Sequence, residues 1–237
     1  MSPLSDALTN RVRKQPADPL ITWYGSDSAR TELSGVTFAT AVAKTAGVLL
    51  DDWEVPAGAT VRLRLPLHWQ LPVWLAACDL AGLVIDWRPG PACDVVVSDT
   101  AATALATNPP FPVVTATTAF GLPGAGLPAA VLDHARDAMG QPDVFGGVPG
   151  DGAWLVGDES WDGATIAAAA TGLADEVGLT HGGRLLVNRA AATPRIGLAV
   201  WAAPVLLGAA VVLCPRDDSD RVAEAEHTTA TLTDGEL

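Results

Sequence analysis

An apolar run, Ala153-Trp154-Leu155-Val156, leads into Gly157-Asp158-Glu159-Ser160-Trp161-Asp162-Gly163. Asp158, Glu159 and Asp162 are hard oxygen donors at close spacing, the donor type that Mg²⁺ accepts. Without a cation the same residues make a solvated acidic turn. That turn is the expectation, and no metal is assigned. A second pattern, Gly124-Ala125-Gly126-Leu127-Pro128-Ala129, matches Gly-x-Gly-x-x-Gly/Ala, in which backbone N–H groups at a helix start hold a diphosphate. Pro123 and Pro128 suit a loop instead, and no acidic residue ends a strand about 20 residues on, so dinucleotide binding is not expected.

The histidines, His68, His134, His181 and His227, are not paired at metal-ligand spacing. His134 stands beside Asp133, Arg136 and Asp137, which predicts a solvated helix face. His181 lies in a turn, Thr180-His181-Gly182-Gly183, and His68 follows Pro66 where a helix begins, a capping position. Cys78, Cys93 and Cys214 are odd in number, far apart and without a Cys-x-x-Cys pair, as expected of reduced structural thiols in a cytoplasmic protein. No Gly-x-Ser-x-Gly elbow is present. No catalytic, cofactor-binding or metal-ligating residue is therefore assigned, and no cofactor.

The elements that position these residues come from a chain of 237 residues, enough to bury a sizeable core. Hydrophobic residues make up 49 % and charged ones 17 %, which excludes disorder over most of its length. A net charge of -13 with no basic run excludes a nucleic-acid partner, since the phosphate backbone would be repelled. Met1 to Lys14 has no apolar segment of the signal-peptide kind. Ile196 to Leu213 is uncharged over a length near the lower limit for a membrane span, but Pro204 and Gly208 divide it into a helix and a buried strand. Membrane insertion is not expected.

Leu4, Leu8 and Val12 share a helix face. Leu20 to Tyr24 and Arg30 to Leu33 read as a hairpin around turn residues. Ser34 caps a helix from Val36 to Asp51 with Phe38, Val42, Ala46 and Leu49 on one face. Thr60 to Leu65 alternates Val61, Leu63 and Leu65 against Arg62 and Arg64, predicting one buried and one wet face. A helix from Gln70 to Leu80 ends near Gly82; Leu83 to Trp87, Asp94 to Ser98 and Val113 to Thr117 are strands. Leu127 to Met139 is expected as a helix. Then follow strand 153–157, helix 164–177, strand 184–187, helix 194–207 and strand 209–213. Helices between short Val/Leu-rich strands imply a three-layer α/β fold, one mostly parallel sheet with helices on both faces. Residues 1–215 form this domain, and 216–237 an acidic tail with a possible helix around 220–226. Eight tryptophans is a high count; core packing is expected for most of them, and any exposed together would mark an interface.

Several segments resemble the adenylate-forming, or AMP-binding, enzymes, which include acyl-CoA synthetases. The segments are Leu33-Ser34-Gly35-Val36-Thr37-Phe38, Gly58-Ala59-Thr60-Val61-Arg62-Leu63, Leu65-Pro66-Leu67-His68-Trp69-Gln70, Asp79-Leu80-Ala81-Gly82-Leu83-Val84, and Arg195-Ile196-Gly197-Leu198 through Val212-Leu213. The chain is similar to a short actinobacterial family distantly resembling the N-terminal region of those enzymes. The resemblance implies their N-terminal subdomain fold. It also implies a phosphate loop ending in Gly-x-Pro-Lys at Gly157 to Gly163, where this chain has no lysine and three carboxylates. Each carboxylate at contact distance would repel a triphosphate by about 1 kcal/mol even in water. The family's adenine, ribose and catalytic-lysine motifs are not found in 1–237. The expectation is a non-catalytic protein that acts through a protein partner or as a regulator. The alternatives are a binder of a nucleotide or acyl group, and a ligase-like half-enzyme completed by a second chain.

Overall fold

The computed structural model describes residues 2–25, 29–90, 93–123, 126–188 and 192–232. Pro3–Lys14 (α1) starts at Ser2, whose hydroxyl accepts from the Ser5 amide, with Pro3 in the first turn, where a missing N–H is no loss. Pro19–Tyr24 (β1) and Arg30–Ser34 (β2) pair antiparallel as the expected hairpin. Ser34 caps Gly35–Gly47 (α2) by accepting from the Thr37 amide, and the predicted face of Phe38, Val42, Ala46 and Leu49 is buried. The helix runs on into a π turn, Val48–Asp52, where the Trp53 amide reaches the Val48 carbonyl at 2.9 Å.

Thr60–Arg64 (β3), Gln70–Ala81 (α3) and Val84–Asp86 (β4) make a parallel strand–helix–strand unit. Gly82, at φ +69°, ends α3 in the left-handed region that glycine adopts freely. Val95–Ser98 (β5), Ala101–Leu105 (α4) and Phe111–Val114 (β6) follow. The helix expected over Leu127 to Met139 is absent. The Val131 amide closes a turn onto the Pro128 carbonyl at 3.0 Å, and Leu132–Asp133 (β7) then pairs with β6. Asp133 caps the single turn His134–Asp137 (α5), accepting from the Arg136 amide at 3.2 Å. Helical spacing of Leu127, Val131 and Ala135 hides a strand that forms because a sheet edge lies beside it.

Ala153–Val156 (β8), Glu159–Trp161 (β9), Gly163–Val177 (α6) and Arg184–Val187 (β10) come next. The helix expected from Pro194 to Leu207 is three pieces: Pro194–Gly197 (α7), a π turn Leu198–Ala202, and Ala203–Leu206 (α8). The Ala203 amide bonds the Leu198 carbonyl five residues back. Pro204 has no N–H, and the ladder shifts register just before it. Ala210–Leu213 (β11) follows, so the uncharged run is helix and strand. No helix among the described residues is long and apolar enough to cross a membrane. Ser219–Ala225 (α9) and Ala230–Thr231 (β12) complete the described chain.

Among the described residues the strands form two sheets where one was expected. The order β12-β10-β11-β1-β2 is parallel except for β2, and β7-β6-β5-β3-β4-β8-β9 is parallel except for β9. Helix α2 packs on β1 and β2, the π turn at 198–202 on β10 and β11, and α3 on β3 and β4, while α2 packs on α3. The helices thus fill the space between the sheets, which is why α3 is buried on almost every side. Outside, α9 covers the first sheet through Val222 against Leu186, Val212 and Cys214, and Ala104 of α4 meets Val114 and Val131 on the second. β12 joins the sheet edge and Glu226 accepts from Arg30 and Tyr24, so 219–232 is part of the domain's packing.

Arg62 departs from the wet face expected for it. Its side chain is buried, pairs with Asp86 at 2.7 Å and donates to the Gly90 carbonyl. A strand inside a parallel sheet is covered on both faces, so a charge there is kept by a buried partner. Burial pushes the Asp86 carboxyl up, but the hydrogen bonds from Arg88 and the charge of Arg62 outweigh it, and the net shift is downward.

Candidate functional site

The acidic turn is the tip of a two-stranded hairpin. β8 and β9 pair with Trp154 opposite Trp161, Leu155 opposite Ser160 and Val156 opposite Glu159, leaving Gly157 and Asp158 as the whole connection. Gly157, at φ +56°, takes the left-handed conformation that a two-residue hairpin turn requires. The three carboxylates do not converge. Asp162 caps α6, accepting from the Thr165 amide at 2.8 Å, and Glu159 accepts from the Trp161 indole at 2.8 Å. Among the described residues no group of three His, Cys, Asp or Glu is placed to hold a metal. Beside the hairpin, Trp87 and Trp154 meet edge to face with centroids 5.4 Å apart, and a Cβ on Gly197 of α7 would come within 2.8 Å of Trp87 and 2.9 Å of Trp154.

Two cavities open on either side of α2. The larger, about 700 Å³, is apolar and lies between α1, α2, α3 and the segment 143–149; Leu8, Val12, Val36, Val42, Val144 and Phe145 line it. Val36 and Val144 on its rim are 47 % and 77 % exposed, and Val148 nearby is 90 % exposed, an apolar patch of the kind that marks a binding surface. Ser5 lines its floor and donates to Asp79 at 2.8 Å, with Ser2 donating to the same oxygen at 2.5 Å. Burial pushes the Asp79 carboxyl up despite those two hydrogen bonds.

The smaller cavity, about 380 Å³, is bounded by α2, the start of α3, Phe120–Gly121 and residues 134–139. His134 lies here, buried, rather than on a solvated face. Thr45 gives its hydroxyl proton to the Ala41 carbonyl at 2.8 Å, so at 3.0 Å it accepts from His134 Nε2, and Thr115 donates to Nδ1 at 2.8 Å. The ring is neutral, lies 4.7 Å from Trp74, and burial pushes its pKa down to about 4. Lys44 also lines this cavity; its ammonium donates to the Gln141 carbonyl at 2.6 Å and pairs with Asp143 at 3.0 Å, tying down the segment that roofs the larger groove.

The other sequence candidates do not meet at one place. His68 acts as the expected cap, its Nδ1 accepting from the Gln70 amide at 3.2 Å, and burial pushes its pKa down to about 4. His181 occupies its turn, beside Gly208. Of the glycine-rich lookalike, Gly124 and Ala125 lie outside the described residues, and Leu127–Ala129 opens no helix, so no helix N-terminus stands there to hold a diphosphate. The three cysteines are buried free thiols. Neither cavity is visible as a motif. Their lining comes from residues far apart in sequence, and only the run of exposed apolar positions on 120–148 hints at them.

Two α/β sheets with helices packed between them, entered by a hairpin and closed by the helix and strand at 194–213, are the architecture of the N-terminal region of adenylate-forming enzymes. This chain has that fold. An acyl-CoA synthetase from Brucella canis superposes with a TM-score of 0.73 at 16 % identity, over 98 % of this chain and 47 % of the synthetase. The N-terminal domain of FACL13 from Mycobacterium tuberculosis superposes with a TM-score of 0.65 at 13 % identity, over 94 % of this chain and 60 % of that one. At these identities the likeness is one of fold. In sequence, a TIGR03089 family protein of Mycobacterium tuberculosis is 33 % identical over 139 residues, covering 52 % of this chain and 54 % of the relative. The chain spans about half the length of that relative and of the synthetase. No family model matches the chain.

Proposed function

We propose that this chain uses an adenylate-forming fold for binding and not for carboxylate activation, acting through a protein partner or as a regulator. One observation carries the reading. At the position where the resemblance puts a phosphate loop, the chain has only the two-residue turn Gly157–Asp158. Transfer of AMP from ATP to a carboxylate, with pyrophosphate leaving, needs donors and a cation that hold the phosphates while charge develops on them. A two-residue turn offers too few backbone N–H groups for that, and Asp158, Glu159 and the absent lysine give the wrong sign of charge. The test is calorimetric titration of the protein with ATP and with AMP, each with and without Mg²⁺. The expected result is no saturable heat; saturable binding removes the support for this reading.

A second reading, a small-molecule binder, is favoured by the apolar groove of about 700 Å³, which is of the size that holds a ligand with only a few polar groups. Its occupant would be an acyl chain or a similar apolar compound. Saturable binding of such a compound with no response to ATP would select it over the partner reading.

A further inference from the structure

We propose that two copies of this chain pair through the face that carries α2, each covering the larger cavity of the other. The starting point is where the exposed apolar side chains stand. Among the described residues, the large apolar side chains left exposed are Val36, Phe120, Leu122, Met139, Val144 and Val148. They all lie at or next to the rims of the two cavities that flank α2. Phe120, Leu122 and Met139 are on the side of the smaller, and Val36, Val144 and Val148 on the side of the larger. Exposed apolar residues scattered singly need no explanation, but a set gathered on one face marks a surface that is covered. With each side chain offering on the order of 100 Å² of apolar area, the set comes to about 600 Å² per copy, close to the roughly 800 Å² that each partner gives to a specific interface.

The two halves of this face differ in shape, and the difference selects a second copy as the occupant. On one side of α2 lies a hole, the apolar cavity of about 700 Å³. On the other side stand knobs, Phe120 at 81 % exposed with Leu122 and Met139 near it. A two-fold interface is self-complementary: what stands on one side of the axis meets what stands on the other side in the second copy. An axis through α2 lays the knobs of each copy over the hole of the other, and both contacts form together. The central charges fit the same axis. Lys44, on the wall of the smaller cavity, pairs at 3.0 Å with Asp143, which lines the larger, so the ion pair stands between knobs and hole. The Asp143 side chain is 74 % exposed and one of its oxygens takes the Lys44 ammonium, which leaves the other open to a second cation. Two such pairs related by a two-fold meet antiparallel, with Lys44 of each copy beside Asp143 of the other. The net charge of -13 opposes the pairing at long range. Salt screens that repulsion, so the dimer strengthens with ionic strength, the reverse of what a basic protein bound to this face would show.

This pairing goes beyond the loss of nucleotide chemistry and does not rest on it: ATP binding would leave this face unchanged, and a monomer would leave the hairpin argument intact. The test is sedimentation equilibrium of the full chain from about 1 to about 300 µM, in low and in high salt. The expected result is a monomer–dimer equilibrium that is several-fold tighter in high salt. Phe120→Glu spoils the knob and Val144→Glu the hole, both at exposed sites that do not threaten the fold, and each should weaken the dimer at least about tenfold. Ala225→Glu, exposed on α9 outside the first sheet, adds the same charge and should leave association unchanged. Mixing the Phe120→Glu and Val144→Glu proteins supplies the symmetry test. In their mixed dimer one knob–hole contact carries both changes and the other carries none, so the mixture should associate more strongly than either variant alone. A monomer at every concentration in high salt, association that weakens as salt rises, association unaltered by Phe120→Glu or Val144→Glu, or a mixture no stronger than its parts overturns the proposal.

Discussion

His134 shows how a residue's setting decides its chemistry. Beside Asp133, Arg136 and Asp137 it looks like part of a charged surface, yet it is buried among Thr45, Thr115 and Trp74. Sequence neighbours are no guide here because α5 is one turn long and its partners come from α2 and the strand end at Thr115. His68 was legible, since a capping role depends on the next two residues alone. The two rings make one prediction. Each ordinarily titrates at 6.5 and is held down to about 4 by burial. Above pH 6.5 both are neutral folded or unfolded, and stability is unaffected. As pH falls below that value the unfolded chain takes up protons that the folded one refuses, so stability is lost until pH reaches about 4. Each histidine contributes about 3 kcal/mol to that loss, from the shift between 6.5 and about 4. Asp79 works in the opposite sense, because its raised carboxyl favours the fold as pH falls. Urea unfolding at about pH 7 and about pH 5 should show the net loss, and His134→Gln should flatten it by roughly half. An unchanged pH slope in His134→Gln would contradict the burial of a neutral ring.

At the scale of elements, strands and helices with a clear period were readable, down to the Ser34 cap and the Gly82 stop. What failed were elements defined by their neighbours. β7 exists because β6 offers an edge, and the π turn before Pro204 answers a missing N–H within a helix whose pattern is otherwise continuous. The approach of β8 to α3 belongs here too. Gly150 donates to the Leu80 carbonyl at 2.8 Å, and a Cβ on it would lie 2.5 Å from the Gly82 backbone. Gly152 is equally tight, with its Cβ position 2.6 Å from Asp79 Cα. Backbone cannot give way as a side-chain tip can. Gly150→Ala should therefore destabilise the fold by about 1–3 kcal/mol in urea unfolding, the usual range for overpacking. Loss of less than a few tenths would mean that the segment 141–152 sits more loosely on α3 than its geometry states.

For the whole molecule, the α/β class and the likeness to adenylate-forming enzymes were legible from segments such as Leu33–Phe38 and Asp79–Val84, which set a cap, a turn and a helix stop. The division into two sheets was not, because a buried parallel strand looks the same in either sheet. Nor were the cavities, whose walls are assembled from four or more separate segments. At the tip of the β8–β9 hairpin two residues stand where a phosphate-binding loop would be. Whether that tip can still hold ATP for carboxylate activation is read by pyrophosphate exchange into ATP, measured with a broad set of carboxylic acids and Mg²⁺. No exchange above the protein-free rate is expected for any acid. Exchange that depends on one acid and disappears when the 157–163 segment is altered would contradict it, and would make this hairpin a working nucleotide site.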